Sequence, residues 1–205
     1  MSVSPAEEPL TFGASPRRLD GRLALSAAPY AGAVVCHPHP LYGGTMDNPV
    51  VVAVTAALGR AGFATLRFDF GGVGRSEGTH GGGPDEARDV QAAASALLGR
   101  LPAGASLVLV GYSFGSVAAL HAAATMRGVQ HVVAVGPPTA FGDWAFLRTL
   151  DVPVTVVVGD RDQYCDVPAV GALRAGMPVH VIRGADHFFA GREAEIGAAV
   201  VAAVA

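Results

Sequence analysis

The chain has 205 residues, carries a net charge of −3 and is 51% hydrophobic, which suits one globular domain with a full core and gives no reason to expect nucleic acid or an anionic membrane as partner. All 14 basic residues are arginine, so chemistry that needs a lysine (a Schiff base, a Ser–Lys dyad, a P-loop) is excluded. Two cysteines, Cys36 and Cys165, make no disulfide framework.

The segment from Met1 to Leu10 contains Glu7 and Glu8 and lacks a basic head before an apolar run, so it does not read as a signal peptide. Residues 1–20 are expected to form a loose arm or an edge hairpin, and residues 21–205 a single domain. Arg22 to Ala27 reads as a short strand, and Ala31 to His37 (AGAVVCH) as a strand buried on both faces. A Pro- and Gly-rich loop follows from Pro38 to Thr45. Asp47 or Asn48 then caps a helix through about Ala61, with Pro49 suited to its first turn and Gly62 ending it. Phe63 to Phe70 is the next strand, Gly71 to Pro84 a glycine loop, and Asp85 to Leu98 an amphipathic helix.

Ser106 to Tyr112 is an apolar strand that breaks into Gly111-Tyr112-Ser113-Phe114-Gly115 and continues as a helix to about Met126. This is the G-x-S-x-G form of a nucleophile elbow: a serine on a sharp strand-to-helix turn needs neighbours without side chains, and the turn aims the first N–H groups of the helix at the reacting centre. Strands follow at His131 to Gly136, Val154 to Gly159 and Val179 to Gly184. A short helix is expected around Trp144, and an Ala-rich helix closes the chain. The apolar stretch from Ile196 to Ala205 is far short of the roughly 20 residues that span a bilayer, so a cytoplasmic protein is expected. Strands alternating with helices predict an α/β fold: a doubly wound, mostly parallel sheet with helices on both faces.

In such sheets the working residues collect at the carboxyl ends of the strands. There stand Ser113, then Asp160 and Asp162, then His187, in the order Ser, acid, His expected for an α/β-hydrolase triad. A serine hydroxyl needs a base to take its proton, and an imidazole serves if a carboxylate fixes its tautomer. Asp162 is preferred as the acid, with Asp160 as the alternative; Asp186 reads as a turn residue. Charge developing on the attacked carbonyl oxygen needs backbone donors. The Phe114 N–H is the first. The second should come from the loop after the Cys36 strand, where Pro38 and Pro40 have no N–H; His39 or Leu41 remains, and His39 is chosen.

Two other readings of the same loops compete with this one. His37 and His39 have a spacing that suits zinc, but each is followed by proline and no third ligand is evident, so no metal is expected. Asp69-Phe70-Gly71-Gly72-Val73-Gly74 looks like a phosphate loop, but the spacing is wrong for a dinucleotide fingerprint. The structural reading is preferred: Asp69 bonds turn amides while the glycines let the loop pass close to the elbow. No cofactor is called for.

The stretches CHPHPLYGGTMDNPVV, LRFDFGGVGRSEG, VGYSFGS, VVGDRDQYC and GADHFF together resemble the α/β-hydrolase superfamily, and most of all small bacterial predicted hydrolases related to dienelactone hydrolase. The resemblance implies Ser113 as nucleophile, His187 as base and Asp162 as acid, with an oxyanion hole near His39 and Phe114. Dienelactone hydrolase typically uses a cysteine nucleophile; serine stands here, so its lactone chemistry does not carry over. Only Pro137 to Asp151 lies where many relatives insert a helical lid, so no cap domain and an open site with little apolar cover are expected. The expected function is a serine hydrolase acting through an acyl-enzyme on small, accessible carboxylic esters or thioesters. The alternatives are an acyltransferase, a cofactor-free haloperoxidase or a non-catalytic binding protein on the same scaffold.

Overall fold

The apolar, β-branched runs of the sequence pair into a single eight-stranded sheet in the computed structural model, which describes residues 4–204. Residues 1–3 of the expected arm and Ala205 of the expected C-terminal stretch lie outside the described residues. The strands are β1 (Glu8–Ala14), β2 (Arg17–Ala24), β3 (Ala31–Cys36), β4 (Ala64–Phe68), β5 (Ser106–Tyr112), β6 (Val129–Val135), β7 (Val154–Gly159) and β8 (Val179–Ile182). The helices are α1 (Pro49–Arg60), α2 (Pro84–Leu98), α3 (Phe114–Ala123), α4 (Val167–Leu173) and α5 (Glu193–Val204).

The strand order is β1-β2-β4-β3-β5-β6-β7-β8. The β1–β2 and β2–β4 pairs are antiparallel, so among the described strands β2 runs against the rest, and the other pairs are parallel. From β3 the chain crosses to β4 on one side and returns to β5 on the other, so the loops leaving β3 and β5 diverge. A crevice opens at their carboxyl ends, which is where ligands bind in such sheets.

Period-two alternation along β5 explains the layering. Leu107 and Leu109 face one core with Val90 and Leu97 of α2 and Leu120 of α3. Val108, Val110 and Tyr112 face the other with Val54 and Leu58 of α1 and Ile196 and Val200 of α5. Each large aliphatic side chain so buried contributes about 1.5–3 kcal/mol. Among the described residues no helix is long and apolar enough to cross a membrane.

Several boundaries differ from expectation, each for a local reason. The first expected strand, Arg22 to Ala27, is instead β2, which begins at Arg17 and crosses residue 20. Its polar sequence is paid for by ion pairs: Arg17 meets the buried Asp89 of α2 at 2.7 Å, and Asp20 meets Arg75 at 3.0 Å. Asn48, not Asp47, caps α1 by accepting from the Val50 N–H at 3.0 Å, while Asp47 pairs with Arg67. The helix α4 was not expected; Asp166 caps it by accepting from the Ala169 N–H, with Pro168 in the first turn. The short helix expected around Trp144 is a single 3-10 turn at Ala145–Arg148.

Candidate active site

The turn between β5 and α3 holds Ser113 at φ 53° and ψ −120°, a conformation that few residues other than glycine adopt readily. The flanking glycines make that turn feasible. A β-carbon on Gly111 would collide with the Gly115 carbonyl, and one on Gly115 would stand 2.5 Å from the carbonyl oxygens of Cys36 and His37. The second contact matters most. Because Gly115 has no side chain, the start of α3 lies against the end of β3, bringing Phe114 beside His39 with ring centroids 4.8 Å apart.

The strand ends then converge. Nε2 of His187 lies 2.9 Å from Oγ of Ser113, and Nδ1 of the same ring lies 2.9 Å from Oδ2 of Asp162. All three residues are buried. Asp162 also accepts from the Tyr164 N–H at 2.9 Å, which fixes its carboxylate. Asp160 points elsewhere: its carboxylate accepts from the Gly184 N–H at 2.6 Å and ties the β7 turn to the β8 turn. Asp186 is a turn residue, accepting from the N–H groups of Phe188 and Phe189.

On the opposite side, the Leu41 N–H is donated to Nδ1 of His39 at 3.2 Å. That leaves His39 of the two expected donors with no bond shown for its N–H, and His39 and Phe114 both border the same cleft. His37 is not available to a metal. Its Nε2 accepts from the Phe70 N–H at 3.1 Å and its Nδ1 donates to the Pro38 carbonyl at 2.6 Å, which specifies the neutral tautomer. Burial pushes its pKa down to about 4. Asp69 accepts from the Met46 N–H at 2.7 Å, so it braces the loop between β3 and α1 rather than its own turn. Ser76 then binds the Asp69 carbonyl and the Asp20 N–H, closing the glycine loop on β2.

Two residues near this centre were not singled out from the sequence. Tyr112 donates its hydroxyl to the His187 carbonyl at 2.9 Å. His80, in the glycine loop, sits with its ring 5.0 Å from His39 and 5.5 Å from Phe114, and its Nδ1 lies 2.7 Å from Glu86 of α2. Burial, then the nearby His80, pushes the His39 pKa down, which favours a neutral ring at the cleft.

The cleft above Ser113 has a volume of about 970 Å³ and opens directly to solvent with no covering domain. Its walls include His39, Tyr42, Phe114, Phe141, Tyr164 and Phe188. The apolar surface of the site thus lies in its walls.

A doubly wound sheet with this crevice, elbow and strand order defines the α/β-hydrolase class. The family model described as an alpha/beta hydrolase domain matches residues 33–199, and the chain belongs to that family. An alpha-beta serine hydrolase homologue from Coxiella burnetii is 31% identical, with a TM-score of 0.88 and 97% of each chain covered. A serine hydrolase without lid from Xanthomonas campestris is 29% identical, with a TM-score of 0.85, over 97% of this chain and 93% of that one. An uncharacterised protein of Rickettsia prowazekii is 32% identical over 202 residues, covering 92% of this chain and 85% of its own length. The protein is a hydrolase of this fold.

Proposed function

We propose that this hydrolase cleaves small carboxylic esters or thioesters through an acyl-enzyme, with Ser113 as nucleophile, His187 as base and Asp162 as the acid that orients it. The observation that supports this best is the unbroken hydrogen-bonded line from Ser113 through His187 to Asp162. His187 takes the Ser113 proton as Oγ adds to the carbonyl carbon. The negative charge that forms on the carbonyl oxygen is met by the main-chain N–H groups of Phe114 and His39. The tetrahedral adduct then collapses: the carbon–leaving-group bond breaks, and the leaving oxygen or sulfur takes the proton from Nε2. Water, deprotonated by the same nitrogen, attacks the acyl-Ser113 ester and returns the enzyme.

Asp162 stays a carboxylate and holds the ring in the tautomer with its proton on Nδ1. Both cysteines are buried and unpaired with each other, which supports the cytoplasm as location.

The test is covalent labelling with a fluorophosphonate together with turnover of p-nitrophenyl acetate. Wild type should label and turn over, and Ser113→Ala should do neither. A folded wild type that resists the probe and leaves the ester intact would reduce the protein to a binding module. Labelling of the Ala variant would mean that another serine reacts.

A further inference from the structure

The Ser113–His187 pair lies between two groups of aromatic rings, and they differ in which part of a substrate they can touch. On one side His39 packs against Tyr42 and Phe114, each with centroids 4.8 Å away. On the other side Tyr164 stands edge-on to the His187 ring at 4.7 Å, Phe188 edge-on to it at 5.8 Å, and Phe141 lies 5.9 Å from Tyr164. Phe141 and Phe188 leave 62% and 60% of their surface to solvent, although both border the cleft. Large rings held on the rim of a cleft, with so much of their surface uncovered, present contact area that a bound group would cover.

The charges narrow the chemistry further. Among the described residues no arginine, aspartate or glutamate borders the cleft, and Asp162 lies just beneath His187. A substrate carboxylate or phosphate would lose hydration there and gain no cation.

We propose, building on the acyl-enzyme reading above, that Phe141, Tyr164 and Phe188 form the leaving-group subsite, and that it takes an uncharged alcohol bearing an aromatic ring. The assignment to the alcohol half follows from proton transfer. The carbonyl oxygen must face the Phe114 and His39 N–H groups, and the leaving oxygen must reach the proton on Nε2 of His187. The alcohol therefore departs on the His187 side, where these rings stand. In the step concerned, the Ser113 Oγ–carbon bond forms, the carbon–oxygen bond to the alcohol breaks, and the alcohol leaves with the proton from His187.

Benzyl acetate and methyl acetate test this directly. Their alcohols are of nearly equal acidity and both leave the same acetyl-enzyme, so the ratio of their kcat/KM values reads the leaving-group contact alone. Benzyl acetate should be preferred by about tenfold or more, the gain expected for covering one aromatic ring. Placing a carboxylate on the ring (4-carboxybenzyl acetate) should remove that preference. Methyl phenylacetate, the isomer of benzyl acetate with its ring on the acyl half, should be the poorer substrate. Phe141→Ala and Phe188→Ala should each lower the benzyl-to-methyl ratio, whereas a merely structural role would slow both esters alike.

Equal rates for benzyl and methyl acetate, a carboxylated ring accepted as readily as the plain one, or faster cleavage of methyl phenylacetate would overturn the subsite while leaving the hydrolase reading intact. Failure of fluorophosphonate to label Ser113, with no acetate cleaved, would remove the acyl-enzyme and this inference with it.

Discussion

The hydroxyl of Tyr112 donates to the main-chain carbonyl of His187 at 2.9 Å, so the residue before the elbow serine holds the backbone of the residue whose ring faces that serine. The bond is buried, and burial together with the nearby Asp162 raises the phenol pKa, so the group stays a donor at neutral pH. Tyr112 is thus a positioning residue. Tyr112→Phe keeps the ring in its packed place and removes only the donor. We expect kcat for p-nitrophenyl acetate to fall about three- to tenfold with KM little changed, because a small displacement of the base weakens proton transfer more than binding. The orphaned carbonyl should also cost about 1–2 kcal/mol in urea unfolding. Steady-state kinetics beside unfolding curves check both.

The two aspartates of the β7 turn should separate cleanly. Asp162→Asn keeps the shape but places an amide against Nδ1 of His187, favouring the wrong tautomer; kcat should drop by about a thousandfold or more. Asp160→Asn touches the bond to the Gly184 N–H and the attraction to the surface Arg192, both away from His187, so kcat should stay within about twofold, with a stability loss of about 1 kcal/mol or less. Measuring both variants on one ester decides between them. The reverse pattern would move the acid to position 160.

What the sequence made legible follows from how local each signal is. The strand Ser106–Tyr112 and the strand Val154–Gly159 were read to the residue, because an apolar run ending in glycine is a nearest-neighbour pattern. The order of Ser113, Asp162 and His187 was readable because each follows its own strand. The choice between Asp160 and Asp162 was not, since it depends on which carboxylate the turn aims at a residue 25 positions away. His80 lay hidden for the same reason: its place beside His39 exists only once Glu86 gathers the Gly81 and Gly83 N–H groups and folds the glycine loop back. The start of β2 at Arg17 was not legible, because its arginines and Asp20 look like surface until their ion pairs are seen.

The backbone at Ser113 should reveal what the elbow costs the fold. A residue with a β-carbon at φ 53° and ψ −120° carries strain of about 1–3 kcal/mol, most of which glycine relieves. Ser113→Gly and Ser113→Ala should both be inert toward fluorophosphonate. The Gly variant should nonetheless be more stable than the Ala variant by about 1 kcal/mol, after allowing for the greater freedom of glycine in the unfolded chain. Thermal and urea unfolding of the two proteins under one condition provide the comparison, and equal stability would argue that the turn is unstrained.

His37 should make the protein acid-sensitive in a definite window. Its folded pKa of about 4 lies below the ordinary histidine value of 6.5, because the ring is buried and its Nε2 must stay unprotonated to accept from the Phe70 N–H. Above pH 6.5 the imidazole is neutral in both the folded and the unfolded chain, and its contribution to stability is complete. As pH falls from 6.5 toward 4, the unfolded chain takes up a proton that the folded protein refuses, so stability drops, by about 3 kcal/mol at most, and levels off once the folded ring also protonates. His37→Gln lacks this titration. Its deficit relative to wild type in urea unfolding should therefore be largest at pH 7 and shrink by about 2–3 kcal/mol by pH 4. A deficit that stays constant across that range would show that the folded ring accepts the proton as readily as the unfolded one.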